Sequence, residues 1–153
     1  MTADTTNTQA RPKLPALARW ALFWALFIGV GAVGGALMMW IGADVFGMNP
    51  LLDLMRIHLP LADVFFTSFT WPGVFLFAII GLPNLTGAAL VLRRHQFAPV
   101  AATLCGIILV GWIMLQLFVV FSLNPMSIAY GLFGVAQAVM GWLWNGQTRP
   151  KAS

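Results

Sequence analysis

Gly29, Gly31 and Gly34 satisfy the spacing G-x-G-x-x-G, and Asp53 follows at about the distance where an acid would meet a ribose. The first chemistry the chain offers is therefore dinucleotide binding. The surrounding residues exclude it. The glycines stand in the middle of an unbroken apolar run, residues 20–41, with no strand before them, and the amides of a continuous helix are already engaged in its own bonds. The same run spaces small residues four apart, pairing Ala25 with Gly29, Gly31 with Gly35 and Ala32 with Ala36. That spacing clears a helix face for a neighbouring backbone, so Gly31 and Gly35 are read as helix-packing positions.

Chemistry can also reside in polar groups held inside apolar runs, since each costs free energy there unless something satisfies it. Asn84, Trp112, Gln116, Tyr130 and Gln137 are such groups. Counted at 1.5 Å per residue, Asn84 and Gln137 reach a common depth near mid-membrane, Gln116 and Tyr130 share a shallower level, and Trp112 falls between. Two readings are open. In one, these groups bond helix to helix and set the register of a bundle; in the other, they line a ligand pocket beneath a polar loop. That loop holds a candidate cluster of Asp44, Asp53, Arg56, His58 and Asp63.

Other reactive groups are sparse. No carboxylate, Lys or Arg falls inside an apolar run, which leaves a charged proton relay nothing to work with. His58 and His95 belong on opposite sides of the threading below, so they share no metal, and no metal site or cofactor is expected. Cys105 is the single cysteine and reads as a packing residue without catalytic or metal-binding role. No nucleophile and base stand at a readable spacing, so no catalytic residue is assigned.

The elements that position these groups follow from composition. Of 153 residues, 60% are hydrophobic and 8% charged, with no Glu at all; a soluble domain carries roughly 25% charged residues. Such a chain belongs in lipid. Four spans are expected, at about 20–41, 70–92, 97–121 and 126–144, within a transmembrane domain of residues 20–145 flanked by a basic tail, 1–19, and a short tail, 146–153. Pro83 predicts a kink near Ile79 to Gly81. Asn49, Pro50 and Pro60 bracket a short interfacial helix in the loop between the first two spans. Tryptophans 20, 40, 71, 142 and 144 stand near span ends, as amphipathic rings do.

Seven basic residues, Arg11, Lys13, Arg19, Arg93, Arg94, Arg149 and Lys151, fall on one side of this threading and only Arg56 on the other. Both termini are then cytoplasmic, and Arg93, Arg94 and His95 lie where they can touch lipid head groups. The basic residues are too scattered along the chain for a nucleic-acid footprint.

From Pro72 onward the chain resembles an uncharacterised family of small four-span bacterial integral membrane proteins. The resemblance is carried by Pro72, Gly73, Gly81, Asn84, Gly87, Arg94, His95, Trp112, Ile113 and Gln116, and it covers about half the chain. The chain departs at Gln137, where many relatives have an acid. The resemblance implies topology, and no activity.

The expected protein is all-α, a four-helix transmembrane bundle of the bacterial cytoplasmic (inner) membrane. The leading expectation is a non-enzymatic protein that acts by helix packing with itself or with a larger membrane partner, in contact with the lipid bilayer. The alternatives are a small-molecule or lipid binding or transport component with a pocket between its helices, and a quinone-linked oxidoreductase subunit.

Overall fold

The computed structural model describes residues 14–42, 47, 50, 53, 68–120 and 125–148. Among them the chain forms four long helices and no strand: α1 (Ala16–Ile41), α2 (Thr70–Leu92), α3 (Ala98–Val120) and α4 (Pro125–Thr148). Each is long and apolar enough to cross a membrane. Of the expected loop helix only Pro50 and Asp53 lie among the described residues, both helical; Asp44, Arg56, His58 and Asp63 lie outside them.

Two helices run further than their apolar cores. α1 starts at Ala16, ahead of Trp20, because Pro15 is a good helix-initiating neighbour and its carbonyl accepts from the Arg19 amide at 3.1 Å. α4 continues past Trp144 to Thr148, whose hydroxyl donates back to the carbonyls of Asn145 and Trp144. Both extensions lie at the end of the bundle that holds the termini and the α2–α3 turn. There Arg94 takes a left-handed φ of 53°, and the amides of Arg94 and His95 cap carbonyls of α2.

The irregularity expected at Pro83 takes the form of a π-helical turn over Leu76–Gly81, in which the Leu82 amide reaches back to the Phe77 carbonyl. Pro83 has no amide hydrogen to offer the carbonyl four residues before it, and the wider turn accommodates its ring without breaking the span.

Around the bundle, α1 lies beside α2 and α4, and α3 beside α2 and α4. The interior is built in layers. At the termini end, Ala18, Ala21, Val91, Ala98, Ala102 and Trp144 form one buried cluster; toward the opposite end, Ile28, Ala32, Ile80, Leu109 and Ile113 form another. Large apolar side chains such as Phe23, Val30, Leu104, Leu132 and Trp142 are left on the outside, where only a lipid solvent matches them.

The closest backbone approach is between α3 and α4. A Cβ on Gly106 would run into the backbone of Ala138 and Gly134, and one on Gly141 into Thr103. The small residues of α1 serve a similar purpose within the chain: Ala21, Ala25, Gly29, Ala32 and Ala36 are all buried, and Gly29 rests against Leu85 and Asn84 of α2. Gly73 leaves room for the Trp40 indole, whose Nε1 donates to the Thr70 carbonyl at 3.0 Å and ties the end of α1 to the start of α2.

Candidate functional site

The five intramembrane polar residues divide into two groups. Asn84 and Gln137 meet between the two apolar clusters, both fully buried. Gln137 Nε2 donates to Asn84 Oδ1 at 2.8 Å, and Asn84 Nδ2 donates to the Ile80 carbonyl at 2.9 Å. The directions are forced. A carbonyl can only accept, so Asn84 must turn its amide nitrogen to Ile80 and its oxygen to Gln137. This leaves Gln137 Oε1 buried with no partner among the described residues. The indole nitrogen of Trp24 is likewise buried and unpartnered.

Trp112, Gln116 and Tyr130 stand apart from that pair and line a cavity of about 250 Å³ enclosed by all four helices. α1 contributes Ile28, Gly31, Ala32 and Gly35; α2 contributes Leu76 and Ile80; Leu109 and Ile113 of α3 and Met126 and Ser127 of α4 complete the wall. Buried Ile28, Ile80 and Leu109 make the floor, nearer mid-span, while Gln116, Ser127 and Tyr130 stand toward the opposite end. Neither the Gln116 amide nor the Tyr130 hydroxyl has a hydrogen-bond partner among the described residues. Gly31 and Met126 are the exposed members of the lining and mark a mouth between α1 and α4.

The two helix-packing candidates therefore border the cavity. Gly31 has only the Tyr130 hydroxyl nearby, 3.8 Å from the place a Cβ would occupy, and Gly35 faces Leu76. The tight packing falls instead to Gly106, Gly134 and Gly141, which the sequence reading passed over although Ala102 with Gly106 and Gly134 with Ala138 carry the same four-residue spacing. Trp24 and Ser127 were passed over as well.

Arg93, Arg94 and His95 are exposed at the α2–α3 turn, where His95 Nδ1 accepts from the Phe97 amide at 3.3 Å. Asp53 is exposed and lies outside the bundle interior. Cys105 is buried in α3, and its thiol donates to the Pro83 carbonyl at 3.3 Å, two residues beyond the π turn.

Fold and site together define a small polytopic membrane protein: four membrane-length helices around a partly open cavity. Comparison with protein-family models, with curated proteins and with solved structures returns no match for the chain.

Proposed function

We propose that the chain is a multi-pass protein of the bacterial cytoplasmic membrane, with both termini in the cytoplasm, and that it holds a small apolar molecule in the cavity between its helices. The orientation rests on charge: in the sequence, seven of the eight basic residues come before α1 or in its first turn, in the α2–α3 turn, or after α4. Family membership is proposed on the residues from Pro72 onward that carry the resemblance.

The observation that carries the ligand reading is a cavity between the helices lined by polar groups that have no hydrogen-bond partner among the described residues. At membrane depth a Tyr hydroxyl and a Gln amide normally bond to a neighbouring helix, because leaving them unpaired costs free energy. Here both face a cavity instead. Association through the small-residue face of α1 has less to support it, since Ala25, Gly29, Ala32 and Ala36 are buried inside the bundle and Gly35 faces Leu76 of α2, which leaves Gly31 as its exposed member. A second reading, contact with another copy or a larger membrane partner, rests on Gly34, which is exposed and has open space where a Cβ would stand.

Native mass spectrometry of the protein extracted in mild detergent tests both. A bound molecule that persists in Gly34→Leu and is lost in Gly31→Trp, which plugs the mouth, is the expected result. The same adduct in Gly31→Trp refutes the cavity. A change of oligomer in Gly34→Leu alone favours the partner reading.

A further inference from the structure

The chemistry of the cavity wall also says what class of molecule fits, an inference that rests on the cavity reading above. None of the described residues that line it is a Lys, Arg, His, Asp or Glu. An ionic head group brought there would be stripped of water with no opposite charge to meet it, which is prohibitive in an apolar surround. Gln116 and Tyr130, which have no hydrogen-bond partner among the described residues, offer both donors and an acceptor without charge, which suits a hydroxyl or a carbonyl.

The polarity has a direction. Gln116 stands seven residues along α3 from Leu109 in the floor, an axial rise of about 10 Å. One end of the cavity is thus hydrogen-bonding and lies within about 8 Å of the helix ends, and the other is aliphatic and points to mid-span. A lipid of the adjoining leaflet has the same polarity, head outward and body inward. The mouth runs between Gly31 of α1 and Met126, one residue into α4, on the lipid-facing side of the two helices. A molecule that enters sideways between these two helices comes from the bilayer. The volume of about 250 Å³ is below the roughly 300–1,000 Å³ of sites that enclose a whole drug-sized ligand. The cavity takes the head and the adjoining carbons and leaves a longer tail in the mouth.

We infer that the cavity between α1 and α4 binds an uncharged lipid whose head is a hydroxyl or a carbonyl, hydrogen-bonded by Gln116 and Tyr130, and that it admits this lipid laterally past Gly31. An isoprenoid quinone and a long-chain alcohol or glyceride share this chemistry.

Titration of the full-length protein in nanodiscs, followed by tryptophan fluorescence, tests the inference, with Trp112 in the wall as a reporter. The probes are decyl-benzoquinone, 1-decanol, decanoate and decyltrimethylammonium. Saturable binding of one or both neutral probes is expected, with the ionic probes at least about tenfold weaker. Tyr130→Phe and Gln116→Met should each weaken the neutral probe about fivefold to tenfold while leaving the melting temperature in place. Quinone binding without alcohol binding identifies the carbonyl head, and the reverse the hydroxyl. Equal binding of neutral and ionic probes overturns the ligand class and leaves the cavity reading standing. Unchanged affinity in both variants overturns the assigned head-group contacts. No saturable binding by any of the four overturns both readings.

Discussion

Gln137 of α4 donates to Asn84 of α2 at 2.8 Å, joining two helices whose backbones hardly approach each other. The bond sits between two apolar layers, so it fixes the rotation of both helices about their axes. Its energetics are unequal for the two partners. Removing Asn84 strands the whole Gln137 amide and also deletes the bond to Ile80, whereas removing Gln137 deletes an oxygen that already lacks a partner. Asn84→Leu is therefore expected to destabilise the protein by about 1–3 kcal/mol and Gln137→Leu by less. The double variant should cost less than the sum. Thermal or denaturant unfolding in detergent measures all three; strict additivity would show that the bond contributes nothing.

The α3–α4 seam depends on residues without side chains. Gly106→Ala places a methyl against the backbone of Ala138, and no rotamer change relieves it. A loss of about 1–3 kcal/mol or more is expected. Gly111→Ala in the same helix, with open space around it, serves as the control and should melt with the parent protein.

At the other end of the bundle, Gly73→Ala displaces the Trp40 ring and breaks its bond to the Thr70 carbonyl. The tryptophan emission should shift to the red as the indole leaves its seat, and the shift should vanish in a Trp40→Phe background. A shift that persists there would place its source elsewhere.

Cys105 is only 3% exposed, so a maleimide should leave it unmodified until the protein is denatured. In a Cys105→Ser background, single cysteines at His95 and Ser153 should then react with an impermeant reagent from the same face of sealed vesicles. Reaction from opposite faces would contradict four crossings.

The four spans were legible because the requirement that sets them, about 20 apolar residues without charge, is local and crude. Depth counting along each span also put Asn84 beside Gln137 in level, and the structure joins them. It could not say which way either helix was rotated. That is why Gln116 and Tyr130, paired only by level, line a cavity and do not bond to each other. Rotation depends on which small residues let backbones close; glycines are densest in α1, yet the closest seam is made by the sparser Gly106, Gly134 and Gly141. The π turn was foreseen only as an irregularity at Pro83, since sequence marks the missing donor but not the geometry that absorbs it.

The glycine seam has a mechanical corollary. With their main chains in contact, α3 and α4 form a stiff plate that has little freedom to part. At Gly31, by contrast, α4 approaches with the tip of the Tyr130 phenol, and α1 and α4 meet through side chains, Trp24 and Phe27 resting on Phe133. α1 is in turn held to α2 by its buried small residues and by the Trp40–Thr70 bond, so a widening of the interior is expected where that pair meets the frame formed by α3 and α4.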